Sequence, residues 1–96
     1  MTKYLALIHR TLEGSKTIAE GPARLEASTK LAGKYGCTLE QFYLTTGEYD
    51  QVVIFDAPDE LSMVRYKLAV EAIGAIKISN LRLFSTEEYR NIVATM

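Results

Sequence analysis

Two segments that read as β-strands are apolar on both of their faces. Successive side chains of a strand point to opposite faces, so an antiparallel sheet with one side in water alternates apolar and polar residues. The first and third predicted strands carry apolar residues in both alternating sets: Tyr4, Ala6 and Ile8 against Leu5 and Leu7, and Val53 and Phe55 against Val52 and Ile54. A sheet built from these strands needs a cover on each side.

The elements follow one another in the order β-α-β-β-α-β, with one more helix at the end. Composition and punctuation predict strands over residues 3–10, 38–46, 49–56 and 75–84, and helices from Thr17 to Glu20, Pro22 to Gly36, Pro58 to Gly74 and after Ser85. This order is the split βαβ arrangement, which predicts an α+β, ferredoxin-like fold with an antiparallel sheet. We expect a single domain over residues 1–96, with its core over 3–84 and a C-terminal helix over 85–96.

Local patterns refine this outline. In the helix after Pro58, the stripe expected to face the core consists of Leu61, Val64, Leu68 and Ala72. In the preceding helix, Arg24 is expected to face water. The alternation of the last strand shifts phase near Ser79 and Asn80, which predicts a bulge. Ser85 and Glu88 have the spacing of a capping box, which predicts that a helix begins there.

The composition excludes several classes of function. With 11 Lys and Arg against 12 Asp and Glu, the net charge is −1, so the basic footprint of a duplex-binding protein is absent. One histidine (His9) and one cysteine (Cys37, expected to be a buried small hydrophobe) cannot form a Cys/His zinc site or an intrachain disulfide, and we expect no metal or cofactor. No apolar run can span a bilayer, and Met1-Thr2-Lys3 leads directly into a strand. These features favour a cytoplasmic protein without nucleic-acid or membrane partners.

A second copy of the chain is the simplest cover for the exposed side of the sheet. At about 25 cal/mol per Å², burying roughly 400 Å² more apolar surface per chain contributes on the order of 10 kcal/mol before association costs. Twofold symmetry needs only one self-complementary patch, so we expect a homodimer or higher oligomer that stacks sheet on sheet. A ligand lying on the sheet, or the last helix folding over it, are the alternatives.

Four residues are candidates for acid–base catalysis: His9, Tyr43, Tyr49 and Asp50. His9 carries the only imidazole of the chain, and imidazole is the side chain that most often acts as a general base. The phenol and carboxylate of Tyr49 and Asp50 could orient a substrate and move a proton, although neighbouring strand residues point to opposite faces and need a bulge to line one pocket. In the purely structural interpretation, Asp50 accepts hydrogen bonds from backbone donors of the hairpin and Tyr49 packs under a helix end.

The candidate ligand-binding residues are apolar side chains of the sheet: Leu5, Leu7, Phe42 and Phe55. In the second strand we expect Leu39 and Tyr43 on one face, and Phe42 and Leu44 on the other. Aromatic side chains on an open βαββαβ sheet stack on bases in RNA-binding proteins, but the third strand has no Lys or Arg, so these aromatics are expected in the core. Arg10 points to the face opposite His9 and could bind an anion.

The segment Gly47-Glu48-Tyr49-Asp50, followed by Gln51-Val52-Val53-Ile54 and Asp56-Ala57-Pro58-Asp59, resembles the GYD-domain family. Three further segments are similar to that family: Lys3-Tyr4-Leu5-Ala6-Leu7-Ile8, Arg24-Leu25-Glu26-Ala27 and Leu39-Glu40-Gln41-Phe42-Tyr43. The resemblance covers roughly residues 3–84 and leaves the last helix outside. It implies a ferredoxin-like, dimeric α+β barrel and no particular reaction, since related barrels include small monooxygenases, isomerases and ligand-sensing modules.

The favoured function is a small-molecule-binding homo-oligomer of the GYD type. Its site would lie between sheet and helices or inside a barrel formed by two sheets. One alternative is a small cofactor-independent enzyme, monooxygenase-like or isomerase-like, with His9 and Tyr43 or Tyr49 as acid and base. That enzyme needs at least two of its candidate residues to converge on one concave space. The second alternative is a structural or protein-interaction module in which the last helix swaps onto a neighbour.

Overall fold

The computed structural model describes all residues from Met1 to Met96. The strands are β1 (Thr2–Arg10), β2 (Thr38–Leu44), β3 (Gln51–Ala57) and β4 (Ile76–Leu83), and the helices are α1 (Leu12–Lys16), α2 (Gly21–Lys34), α3 (Glu60–Glu71) and α4 (Thr86–Ala94). A 3-10 turn at Ile18–Glu20 joins α1 to α2. The strands form one antiparallel sheet in the order β2-β3-β1-β4. The predicted α+β, ferredoxin-like fold is confirmed, with α4 as the additional C-terminal helix.

Helix boundaries follow local capping chemistry. The Asp59 carboxylate accepts a hydrogen bond from the Ser62 backbone N–H at 2.7 Å and so begins α3. The predicted capping box of α4 is present, because the Ser85 hydroxyl accepts from the Glu88 N–H at 3.1 Å and the Glu88 carboxylate accepts from the Ser85 N–H at 2.9 Å. Gly36 ends α2 with a φ of 76°, a left-handed conformation that favours glycine.

The core lies between one face of the sheet, here called the core face, and the helices. It is formed by buried side chains from β1, β3, β4, α2 and α3: Tyr4, Ala6, Ile8, Val53, Phe55, Ala57, Ile78, Ala32, Met63, Tyr66 and Val70. Cys37 is buried with them, as expected of a small hydrophobe. The smallest extent of the Cα trace is 18 Å, which accommodates a sheet and a single layer of helices. The opposite face of the sheet, the open face, therefore has no helix over it.

The prediction of which α3 side chains face the core is wrong. Leu61, Val64 and Leu68 are 54%, 39% and 60% exposed, and the buried residues of α3 are Ser62, Met63, Tyr66 and Val70. Met63, Tyr66 and Val70 have the same i, i+3, i+7 spacing as the predicted stripe, displaced by two positions. Two positions correspond to about 200° around a helix, so the predicted stripe faces outward. The helix carries apolar residues on both sides, and packing against the sheet selects one of them.

The bulge of the sheet lies in β2 and not in β4. The register between β1 and β4 runs without interruption from Lys3↔Leu83 to Arg10↔Ile76, so no bulge interrupts it near Ser79. The pairing of β2 with β3 instead shifts between Leu39 and Gln41. The extra residue brings Leu39 onto the core face together with Phe42, which corrects their predicted separation onto opposite faces.

Helix α4 buries none of its residues. Its first turn is held to the end of β4 by Arg82, whose guanidinium donates to Glu88 at 3.1 Å and lies 3.8 Å from the ring centre of Phe84. Three apolar side chains along it, Tyr89, Ile92 and Val93, are 64%, 47% and 49% exposed. No helix of the chain has both the length and the apolar character required to cross a bilayer.

Candidate functional site

The open face presents an apolar stripe across three strands. In β1, Leu5 pairs with Ile54 of β3 and with Leu81 of β4, and Leu7 pairs with Val52 of β3. Because the side chains of paired residues lie on the same face, these five form one continuous patch. None of them is buried, and Leu81 is 47% exposed. A patch of this kind is typical of a contact surface.

Polar residues border this stripe at both ends. At one end, the Lys3 ammonium forms an ion pair with Glu40 and lies 3.6 Å from Asp56. The hydrogen bond to Glu40, together with the nearby Asp56 charge, raises the pKa of Lys3. At the other end, His9 pairs with Lys77 across β1 and β4. An apolar centre with a polar rim is the usual composition of a protein interface.

The structure brings together two of the four candidate catalytic residues. The rings of His9 and Tyr49 lie 4.7 Å apart between centroids and are tilted by 36°. His9 belongs to the open face, because it alternates with Leu5 and Leu7 along β1. Tyr43 lies on the same face, where it pairs with Val52 and is 53% exposed. These three residues therefore share the open face, at its border.

Asp50 does not join them. One of its carboxylate oxygens accepts a hydrogen bond from the Arg10 backbone N–H at 2.7 Å, and the other lies 3.5 Å from an Arg10 Nη atom. The Asp50 backbone N–H in turn donates to the Ile8 carbonyl at 2.9 Å. Asp50 thus ties the entry of β3 to the end of β1, close to the backbone role that the structural interpretation predicts.

A cavity of about 540 Å³ lies on the other side of the sheet, between the core face and the helices. Hydrophobic residues provide 14 of the 21 that line it. Its deeper wall includes Val53, Phe55 and Val70, which are at most 2% exposed. Its rim includes Ile18 and Leu44, which are 53% and 72% exposed. The size and the apolar lining are those of a site for a small organic molecule.

Five side chains with polar groups also line the cavity: Arg10, Arg24, Ser28, Gln51 and Tyr66. Burial raises the pKa of Tyr66 to about 12, so its phenol stays protonated at neutral pH and can donate a hydrogen bond. The two arginines supply the only charges in the lining, and no Asp or Glu takes part. The polar portion of this cavity is therefore suited to a ligand with hydrogen-bond acceptors.

The four candidate ligand-binding residues divide between the two sites. Phe42 and Phe55 line the cavity, whereas Leu5 and Leu7 belong to the open face. The sequence prediction missed Arg24, which was expected to face water. Its side chain is 29% exposed and donates to the Thr17 carbonyl at 3.2 Å. This contact joins α2 to the segment before it, and helical periodicity alone does not predict it.

Comparison with known proteins places these features in a family. The family model described as GYD domain matches residues 4–93, which includes most of α4 and so extends beyond the predicted resemblance. A protein of Thermus thermophilus, named glutamine synthetase and cystathionine beta-lyase binding protein, is 27% identical over 82 residues, which is 84% of this chain and 86% of that protein. Since the family match spans nearly the whole sequence, the chain belongs to the GYD domain family.

Proposed function

We propose that this domain is a small-molecule-binding homodimer that associates through the open face of its sheet. The observation that carries the proposal is that the sheet is apolar on both sides and that neither side is fully covered within one chain. The helices leave a cavity over the core face. The open face has no cover at all.

Association of two copies supplies the missing cover. Because β1 and β3 lie in the middle of the sheet, the part of the stripe that they contribute (Leu5, Leu7, Val52 and Ile54) occupies its centre. A twofold axis through this stripe would place it against its own copy, and the charged residues at its ends would form the rim. Burial of the stripe favours association in proportion to the apolar area removed from water.

Native mass spectrometry of gently purified protein tests both parts of the proposal. We expect a mass of twice 10.7 kDa, with an additional small organic molecule for each chain. Light scattering at micromolar concentration provides the mass in solution. A mass near 10.7 kDa at that concentration would contradict the dimer. A dimer that never carries a small molecule, from its own host or after incubation with a host metabolite extract, would contradict the ligand-binding part.

The enzyme alternative rests on the contact between His9 and Tyr49. In a sheet-on-sheet dimer these rings and Tyr43 would face the second copy, which could enclose them. Incubation of the recovered small molecule with the protein tests this alternative. Its conversion to a product, abolished by His9→Ala and by His9→Gln alike, would favour acid–base catalysis, because neither replacement can transfer a proton. Recovery of the unchanged molecule would favour binding alone.

A protein-interaction function is favoured by a different observation. Leu61, Val64 and Leu68 form an exposed apolar stripe on α3, and α4 exposes three further apolar side chains. The name of the Thermus thermophilus relative describes binding to two enzymes, glutamine synthetase and cystathionine beta-lyase. Removal of residues 87–96 distinguishes this function, since loss of assembly from a folded monomer would assign the contact to α4. Binding of purified glutamine synthetase and of purified cystathionine beta-lyase should be measured with the unaltered chain and with Leu68→Glu.

A further inference from the structure

The polar groups of the cavity have a definite chemical bias. The guanidinium groups of Arg10 and Arg24 and the phenol of Tyr66 line it, and no carboxylate does. Arginine has only donors, and its planar fork matches the geometry of a carboxylate. A ligand for this site should therefore present acceptors, preferably with a negative charge, to a surface that is otherwise apolar.

Arg10 is the residue with unsatisfied hydrogen-bonding capacity. Its Nε atom is buried and has no hydrogen-bond partner. The nearest carboxylate, that of Asp50, lies 3.5 Å from an Nη atom, beyond the usual range of a hydrogen bond, and already accepts from the Arg10 backbone. Leaving a buried donor unpaired is unfavourable, so an acceptor delivered by a ligand would satisfy a group that the fold leaves open.

Arg24 differs from Arg10 because the fold already uses it. Its guanidinium donates to the carbonyl and to the hydroxyl of Thr17 and lies 3.5 Å from Glu20. These contacts hold the start of α2 against the preceding turn. Arg24 therefore contributes positive potential to the cavity, whereas Arg10 keeps one N–H, at Nε, that no group of the chain accepts.

The geometry points to a small amphipathic carboxylate as the ligand of this cavity, with its carboxylate on Arg10 and its apolar body against the core face of the sheet. This inference rests on the proposed small-molecule-binding function and names the class of molecule. The apolar body would lie on Val53, Phe55 and Val70, and it would cover the exposed side chains of Ile18 and Leu44 at the rim. A ligand carboxylate on the guanidinium would form a charge-assisted hydrogen bond of the kind that the Nε atom of Arg10 lacks.

Isothermal titration with two matched pairs of probes tests this inference. Octanoate and 3-phenylpropionate carry the carboxylate, and octanol and 3-phenylpropanol replace it with a neutral hydroxyl. We expect each carboxylate to bind roughly tenfold or more tightly than its alcohol, because a hydrogen bond to a charged group is stronger than a neutral one. Equal binding of acid and alcohol, or no binding of either acid at millimolar concentration, would overturn the inference.

Substitution at Arg10 tests whether its positive charge binds the carboxylate of the ligand. Arg10→Met should weaken octanoate binding by roughly tenfold or more and leave octanol binding unchanged, and Arg10→Lys should recover part of the loss. Arg65→Met is the control, because Arg65 is exposed and does not line the cavity. If Arg10→Met proves unfolded by circular dichroism, Arg10→Lys and the acid–alcohol pairs still decide the question. Unchanged octanoate binding by a folded Arg10→Met variant would contradict the role of this residue.

Methyl shifts in NMR spectra separate the cavity from the open face, which is apolar as well. Octanoate should move the methyl signals of Val53 and Val70 and leave those of Leu5 and Leu7 in place. If the signals of Leu5 and Leu7 moved and those of Val53 and Val70 did not, octanoate would bind the open face, and the proposed site would be wrong. The dimer is measured separately by light scattering, so a monomer that binds octanoate would refute the association part of the proposed function and leave the ligand class standing.

Discussion

The two faces of the sheet differ far less in sequence than in their surroundings. On the core face, Tyr4 and Phe55 are paired across β1 and β3 and are 3% and 1% exposed. In the adjacent pair of the same two strands, Leu5 is opposite Ile54, yet neither is buried. Both pairs are apolar, so composition does not distinguish the faces. The helices distinguish the two faces, because they cover the core face only. The alternation in the sequence makes both faces apolar but does not determine what covers each of them.

The cover of the core face is itself incomplete. The helices seal the part of the sheet under Met63 and Tyr66, and they leave the cavity beside it. One face therefore has room for a molecule of a few hundred Å³, and the other has room for a whole second chain. The proposed functions assign one occupant to each face.

The largest expected effect is on the core face. Phe55→Ala should lower the free energy of unfolding by about 3–5 kcal/mol, because it removes a buried ring that contacts Tyr66 at 5.1 Å between centroids. Urea unfolding at several protein concentrations measures this change. The cost of Phe55→Ala should not depend on concentration, whereas the cost of Ile54→Ala on the open face should shrink as dilution dissociates the dimer. If neither loss of unfolding free energy changed with protein concentration, the open face would not be a contact between two copies.

Leu7→Glu on the open face is expected to have the next largest effect. A carboxylate in the centre of the stripe would be buried unpaired in the dimer, so the dissociation constant should rise by roughly 30-fold or more. Light scattering should show the mass falling toward that of one chain, with an unchanged circular dichroism spectrum. Leu68→Glu on the outer side of α3 is the matched control and should leave the mass unchanged. Dissociation by Leu68→Glu alone would move the dimer contact from the sheet to α3.

A smaller effect is expected at Glu71, whose carboxylate links α3 to strand β4. The Glu71 carboxylate accepts from the Ile78 backbone N–H of edge strand β4 at 2.8 Å and pairs with Lys67 at 3.0 Å. Burial opposes its ionisation, but these hydrogen bonds and the Lys67 charge outweigh burial, and the pKa of Glu71 lies below its usual value of 4.5. Glu71→Gln should therefore cost about 1 kcal/mol at pH 7.

The pH dependence of that cost follows from the lowered pKa. A carboxyl group with a lowered folded-state pKa stabilises the fold above the unfolded pKa, and this contribution disappears as the pH falls through the folded value. The difference between wild type and Glu71→Gln should be constant between pH 6 and 8 and shrink below about pH 4.5. Urea unfolding at pH 7 and pH 3.5 measures it. Glu26→Gln, on an exposed pair with Lys30, is the control and should show no such trend.

The smallest effect is expected from removing residues 87–96. Because α4 buries none of its residues, the truncated chain should remain dimeric, and its thermal midpoint should change by less than about 4 °C. Light scattering and a thermal melt measure both quantities. Loss of the dimer from a folded chain would show that α4, and not the sheet, makes the contact between copies.

Local signals predicted the parts of the fold that depend on neighbouring residues. The order of the strands and of the two long helices between them, the capping box at Ser85 and Glu88, and the end of a helix at Gly36 are all present in the structure. The same holds for the opposite directions of His9 and Arg10, since alternation along a strand is a property of the backbone. The candidate site was predicted less completely. The approach of His9 to Tyr49 and the role of Arg24 in the cavity depend on residues that are distant in the sequence or on the path of a turn.

By itself, the sequence determined that this chain would form a two-faced sheet, because period-two alternation needs no information from elsewhere in the chain. Only the tertiary structure decided which of two equivalent apolar stripes of α3 enters the core, because Leu61, Val64 and Leu68 have the same spacing as Met63, Tyr66 and Val70. The rotation of a helix about its axis is set by how its side chains fit the surface beneath it. For the same reason, the position of the bulge in β2 and the cavity beside Arg10 emerged only when the elements packed together.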